Sequence, residues 1–470
     1  MRRIVVLAAA IAGFAVRAVY LLAHPPALLS GTDNTWYTTV ARSVATGHFG
    51  MIPAVSGHRA WSFEFPPAYP VALAIGQRVL FWLHPVRADL WTSAALGGAT
   101  AGAVAALAWR IADRAPPRVR TVAAASAGLL VALNPLLAGA SVSLMSEALV
   151  PLVVTLALLF VDRLLAGSAR FRDAVVLGLL VALSGLTRSE SLVVAAAAVV
   201  GAAAVARSRH LTLRPFAVAI GTAFLVALAW SSFASIVSSG VLVMSANAGA
   251  LLRGANCPLA LHGDKKGSWD IYCLGGADRE LSPATRRAFQ AAAVAGHANL
   301  VVLPPTPGPR AEAQFSRAEA RLALRDMRRQ PVAVATSVPY RIGRAIGLYW
   351  SKVDLDRIPY EGRDAAWERV GRWFHIVLVL PLALVGIWAS CRRRGRAAAR
   401  LRAVADTGRV VPSLVLLAVW VVVIAASYGT ARFRASADPS LAVLAGLGLA
   451  MLVAPSWAPT GDAAAAVVTS

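Results

Sequence analysis

Long apolar runs alternate with short polar joints along most of this chain. Runs built almost wholly of Ala, Val, Leu, Ile and Gly fall at about 4–23, 88–109, 119–138, 147–162, 173–187, 190–206, 215–238, 370–390, 410–428 and 439–456. A helix that crosses a bilayer takes about 20 mostly apolar residues, so the pattern predicts ten spanning helices. One further run, 67–83, is shorter, opens on Pro66-Pro67 and holds Gln77 and Arg78. It predicts a helix lying along the membrane interface. The polar run 35–46 predicts another helix. Within 239–369, residues 311–330 read as a charged helix and Pro331–Trp350 as an amphipathic one. The turn-rich Pro304-Pro305-Thr306-Pro307-Gly308-Pro309 is a joint ahead of them.

The joints set an orientation. Arg2/Arg3, Arg110–Arg120, Arg163–Arg172, Arg207–Arg214 and Arg392–Arg409 carry the dense arginine clusters, which belong on the cytoplasmic side. Both termini are then inside, and 67–83 stays on the outer face, since a crossing there would turn Arg110–Arg120 outward. The expected organisation is an all-α polytopic bundle. Its first module is 1–238, with an outer loop at 24–87. An extracytoplasmic region covers 239–369, further spans cover 370–456, and 457–470 is expected to be a disordered tail. The first run, 4–23, reads as a retained span, because no small-residue cleavage site follows it.

Composition agrees. The 470 residues are 58% hydrophobic and 15% charged, with mean hydropathy +0.63, where soluble domains hold roughly 25% charged residues. The net charge of +23 would suggest nucleic acid in a soluble protein. Here the basic residues sit in short joints between apolar runs, with no aromatic-interleaved basic stripe, and no nucleic-acid partner is expected.

Candidate chemistry is confined to the outward ends. Asp33 follows the first span. Such a carboxylate can accept a proton from an attacking hydroxyl, although a helix cap is the commoner use of an Asp in that place. Glu64, between Phe63 and Phe65, can share acid/base work, touch substrate, ligate a metal or simply be solvated. Glu147 opens a span, as a capping residue or as a functional carboxylate. Arg188 breaks the positive-inside pattern; its planar fork suits a phosphate, and Glu190 offers it a plain ion pair. Arg432 and Arg434 form a second outward basic spot. Cys257 and Cys273 flank a short loop of an exported region, which predicts a disulfide worth about 3 kcal/mol; Cys391 is left as a free thiol.

Four segments, in this order, resemble the GT-C glycosyltransferases, in particular the bacterial branch similar to protein O-mannosyltransferases and the aminoarabinose transferase. They are Gly31-Thr32-Asp33…Tyr37…Gly47; Pro66-Pro67-Ala68-Tyr69-Pro70; Asn134-Pro135 with Leu144-Met145-Ser146-Glu147-Ala148-Leu149; and Gly178…Gly185-Leu186-Thr187-Arg188. Tyr428…Arg432-Phe433-Arg434…Pro439 is similar to the C-terminal signature of that group. The resemblance implies a GT-C-like helical bundle with juxtamembrane helices in its first outer loop. It also implies transfer of a sugar from a polyprenyl-phosphate donor to a glycan, lipid or protein acceptor at the outer face of a bacterial plasma membrane. Asp33 would be the base, Glu147 a second acid, and Arg188, Arg432 and Arg434 would hold the donor phosphate. Many relatives carry a second acid directly after the first-loop Asp, and here Asn34 follows, so dependence on a divalent metal stays open. A transporter or flippase of an envelope lipid precursor is the alternative from another class; it would be expected to show internal repeats and helices broken at mid-membrane.

Overall fold

The computed structural model describes residues 1–24, 33–167, 170–240, 244–274, 282–284, 286–287, 306–392, 401–402 and 404–453. Gly31, Thr32, the start of the proline-rich joint and the tail 457–470 lie outside them. Helices dominate: α1 (Arg2–Ala23), α2 (Asp33–Ala45), α3 (Ala68–Val79), α4 (Pro85–Ile111), α5 (Pro117–Ala132), α6 (Pro135–Val142), α7 (Val150–Leu165), α8 (Phe171–Thr187), α9 (Ser189–Ser208) and α10 (Arg214–Ser238). The polar region holds α11 (Ala248–Asn256), α12 (Pro258–Leu261), α13 (Pro309–Arg329), α14 (Pro331–Ala345) and α15 (Lys352–Arg357). The chain then returns through α16 (Ala365–Phe374), a π-helical turn (His375–Val379), α17 (Leu380–Cys391), α18 (Thr407–Ala426) and α19 (Asp438–Val453). A two-stranded hairpin, β1 (Met51–Pro53) with β2 (Arg59–Trp61), stands between α2 and α3.

Each of the ten apolar runs forms helix, but not ten unbroken crossings. Among the described residues seven helices are long and apolar enough to span, counting α7 with its 3₁₀ lead-in (Ser146–Leu165) and α16 to α17 (Ala365–Cys391) as one each, and an eighth arises if α5 and α6 count as one. Those two meet at a 51° bend. The cause is Asn134-Pro135: Pro135 has no N–H to continue the ladder, and Asn134 Oδ1 accepts the N–H of Leu136 at 3.0 Å, starting a new helix. With 17 and 16 residues, α8 and α19 are short for a crossing. Helix α8 stops because Arg188 is extended (φ −149°, ψ 124°) and α9 begins at the next residue.

Described members of several of these arginine joints meet at one end of the bundle. Arg110, after α4, pairs with Asp162 of α7. Arg409 of α18 reaches Asp113 at 2.8 Å and Asp162 at 3.4 Å, and Arg209 pairs with Asp406. Helix α3 stays at the other end, as 67–83 was expected to. Its buried Tyr69 shares a 2.8 Å hydrogen bond with Ser93, and Gln77 donates to Asp89 at 2.9 Å; both partners lie in the first turns of α4. Tyr69 also meets Tyr37 of α2 edge-on at 5.1 Å, so α2 and α3 lie against each other over the bundle end.

Packing is tight and often made by small residues. Arg17 is 1% exposed inside α1. Its Nη1 donates to the carbonyls of Gly13 (2.9 Å) and Ala132 (3.4 Å), and its Nε to Ser141 Oγ (3.2 Å). It passes α4 only where Gly97 has no side chain: a Cβ there would lie 1.9 Å from Arg17 Nε. In the polar region Cys257 and Cys273 are joined as a disulfide across a Cα separation of 6.0 Å, and Cys391 is free and exposed.

Candidate active site

At the end of the bundle away from the arginine joints, several charged residues stand where the chain leaves regular helix. Asp33 begins α2. Glu147 lies in a 3₁₀ turn (Ser146–Ala148) ahead of α7, entered through Leu144 in a left-handed conformation, φ 59°. Such a backbone is unusual for a branched residue. Arg188 is the extended residue between α8 and α9. Arg432 lies in a 3₁₀ turn (Ala431–Ser436) between α18 and α19, and Glu361 in another (Ile358–Glu361) before α16. At such breaks side chains no longer follow the helix faces, and these converge.

Glu147 is the hub. Its side chain is fully buried, and one oxygen, Oε1, receives Arg188 Nη1 at 2.6 Å and Arg432 Nε at 2.7 Å. Burying a carboxylate unpaired would be strongly unfavourable; two guanidiniums compensate. Arg432 extends the network with its other nitrogens, Nη2 to Asp33 Oδ2 at 3.1 Å and Nη1 to Glu361 Oε1 at 3.2 Å. Arg188 also donates through Nε to Glu190 at 2.6 Å and stacks over Phe433 at 4.8 Å. Arg363 pairs with both Glu361 and Glu368. Tyr37 is buried beside the cluster, and burial, helped by the Asp33 carboxylate, raises its phenol.

Four residues singled out in the sequence, Asp33, Glu147, Arg188 and Arg432, are thus brought into one network. The plain Arg188–Glu190 pair forms as well, alongside the Glu147 contact. Asp33 keeps part of its side chain open to solvent (35%), which an acceptor hydroxyl would require.

Two other candidates sit apart from the network. Glu64 has an exposed side chain, and its backbone carbonyl accepts the N–H of Asn247 at 3.2 Å. Desolvation by the surrounding chain, then the Glu312 and Asp33 carboxylates, push its carboxyl up to about 8. Arg434 is turned away: it is wholly buried, pairs with Asp438 at 2.7 Å and reaches the carbonyl of Ala345 at 3.5 Å. Among the described residues no three His, Cys, Asp or Glu side chains group as metal ligands, and the cluster carboxylates are held by arginines.

Glu361, Arg363 and Glu368 were not anticipated. The available signal is Glu361-Gly362-Arg363-Asp364, a charged stretch directly before a span, as Asp33 is directly after one.

No family model matches the chain, and neither does any curated protein. Solved structures do. The archaeal oligosaccharyltransferase AglB from Archaeoglobus fulgidus, in complex with an inhibitory peptide and a dolichol-phosphate, aligns over 99% of this chain and 53% of its own, with TM-score 0.52 and 14% identity. The same organism's oligosaccharyltransferase in complex with Zn and sulfate aligns over 96% and 49%, with TM-score 0.50 and 12% identity. ArnT from Cupriavidus metallidurans bound to undecaprenyl phosphate aligns over 96% of this chain and 78% of its own, more loosely, at TM-score 0.40 and 15% identity. The chain spans about half the length of the oligosaccharyltransferases it matches. The likeness is one of fold: a helical bundle shared with the oligosaccharyltransferases.

Proposed function

We propose that this protein is a membrane glycosyltransferase that moves a sugar from a polyprenyl-phosphate donor to a hydroxyl of an envelope glycan, lipid or protein. The observation that carries the reading is the Arg432 fork, which bonds a half-open carboxylate, Asp33, and a buried one, Glu147, at one bundle end. Arg188 meets the same buried oxygen. A donor with a phosphate leaving group and a hydroxyl acceptor call for this pairing of base and cation. The fold supports it, since the oligosaccharyltransferase that shares it was solved with a dolichol-phosphate.

In the proposed reaction the acceptor oxygen attacks the anomeric carbon while the bond to the phosphate oxygen breaks. Asp33 takes the hydroxyl proton, and the electron pair of the broken bond leaves on the phosphate. Arg432 and Arg188 neutralise that phosphate as its charge grows. One displacement inverts the anomeric centre. Glu147 acts by fixing the two guanidiniums, and Glu64 stands near as a second carboxyl of raised affinity for protons. The protein would sit in a bacterial plasma membrane, surrounded by its lipids, with termini inside and this site outside. A cysteine placed at residue 115 should then react only from the cytoplasm, and labelling from outside would reverse the orientation. The reading itself is tested by mass spectrometry of envelope glycans, glycolipids and glycoproteins from cells with and without the gene. A sugar present only with the gene is expected. Identical profiles, together with no sugar transfer by the purified protein from polyprenyl-phosphate donors, would refute it.

A further inference from the structure

The Arg432 fork is full. Each of its three nitrogens already meets a carboxylate, Nε to Glu147, Nη2 to Asp33 and Nη1 to Glu361. Following the ion pairs outward gives one connected network, Glu190, Arg188, Glu147, Arg432, Asp33, Glu361, Arg363 and Glu368. It contains five carboxylates against three guanidiniums, a formal charge of −2. An anion cannot enter such a network on favourable terms unless a carboxylate gives up its place.

The three carboxylates on Arg432 are not equally able to leave. Glu147 is fully buried and held by two arginines; moving it would strand a charge in the interior, which is strongly unfavourable. Asp33 has Arg432 as its ion-pair partner and is the group the proposed chemistry needs beside the reacting centre. Glu361 differs from both. It meets Arg432 through Oε1, and its other oxygen, Oε2, is paired with Arg363. If Oε1 lets go, the charge stays compensated. Glu361 also ends a short 3₁₀ turn and does not sit within a long helix.

We infer that Glu361 is a displaceable stand-in for the donor phosphate: it holds Arg432 Nη1 as the structure shows, yields it to the phosphate, and takes it back to expel the product. This rests on the reading that Arg432 receives a polyprenyl phosphate. The asymmetry of the reaction favours the exchange. The donor is a phosphodiester with one charge, whereas the released polyprenyl phosphate is a monoester carrying about −1.5 to −2 at neutral pH. The displaced carboxylate, still held beside the site by Arg363, repels the more highly charged product more than the donor. Glu361 is on this account a positioning residue that sets phosphate affinity and product release.

The test titrates undecaprenyl phosphate into the full-length protein in nanodiscs, read by intrinsic tryptophan fluorescence. Glu361→Gln keeps the shape and loses the charge; Glu361→Ala is the second variant, and thermal unfolding confirms that each is folded. Both should bind undecaprenyl phosphate roughly tenfold tighter than the unaltered protein, the scale of one charge-assisted hydrogen bond removed from competition. In turnover assays donor KM should fall and inhibition by added undecaprenyl phosphate should deepen. Unchanged or weaker binding by both variants overturns the inference and makes Glu361 a structural partner of Arg363. Arg432→Ala separates the two levels: it should lose binding at least about tenfold. Equal binding by Arg432→Ala and the unaltered protein would remove the phosphate role of Arg432 and the stand-in role of Glu361 with it.

Discussion

Replacing Asp33 with Asn distinguishes a base from a structural acid, because the structure predicts different sizes for the two effects. Asp33 accepts one hydrogen bond from Arg432 at 3.1 Å, and its side chain is 35% exposed. An ion pair this open is worth about 0.2–1 kcal/mol. Asn retains an oxygen for Arg432 and caps a helix about as well as Asp, so loss of stability should stay below about 1 kcal/mol. Arg432 keeps Glu147 and Glu361, and donor affinity should be held or slightly improved. Losing a general base is a larger effect, roughly 10² to 10⁴ in rate, or about 2.7–5.4 kcal/mol of barrier. The assay is sugar transfer by purified protein in nanodiscs at saturating donor, beside thermal unfolding of the same sample. Slow turnover with a near-normal unfolding midpoint supports the base. Turnover within about threefold of the unaltered protein, below 1 kcal/mol of barrier, would refute it and move the role to Glu64 or Glu147.

Other expectations follow from the same contacts. Arg188→Ala should raise donor KM and also destabilise the fold, because Glu147 keeps only Arg432; Arg188→Lys should restore part of the stability but not the forked contact. Normal donor KM in a folded Ala variant would leave Arg432 as the phosphate ligand. Alkylating the denatured, unreduced protein should label one thiol, Cys391, by mass; three labelled thiols would contradict the Cys257–Cys273 bridge. For Glu64, the folded carboxyl is raised from 4.5 to about 8. Between those values the folded protein holds a proton that the unfolded chain has lost, so stability should fall as pH rises through that window. Glu64→Gln should flatten the fall, and an unchanged pH profile of the unfolding midpoint would remove the effect.

Much of this arrangement was legible in the residues, for reasons that also mark where legibility ended. Apolar run length located each long apolar helix among the described residues, because desolvating backbone forces helix wherever the side chains permit burial. It did not separate long helices from the 17-residue α8 and 16-residue α19, whose ends depend on how Arg188 and the Ala431–Ser436 turn sit in the fold. Asp33, Glu147 and Arg188 stood out because charge at the edge of an apolar run is conspicuous. The choice between Arg432 and Arg434 did not. Residues two apart on a 3₁₀ turn are about 240° apart around its axis, so one faces the cluster and the other Asp438, and nothing in Arg-Phe-Arg reveals the turn's rotation. Glu361 was hidden by distance along the chain. Its partner Arg432 is 71 positions later and Asp33 far earlier, and no local pattern records that juxtaposition.

Arg17 bears on how the molecule is made. An arginine within a spanning segment is costly, by about 2.5–3.5 kcal/mol on insertion scales at the centre of the bilayer. Two of its acceptors, the carbonyl of Ala132 and the hydroxyl of Ser141, belong to segments synthesised more than a hundred residues later. Until α5 and α6 emerge, α1 therefore enters the lipid with a guanidinium paired only to its own Gly13 carbonyl. It would gain by lingering at the insertion machinery, or by letting water follow the side chain, until the Asn134 break delivers the missing acceptors. A truncation after α4 should leave α1 poorly anchored, and one after α6 should seat it. In biogenesis, the bend between α5 and α6 thus becomes the step that commits the first helix to its place.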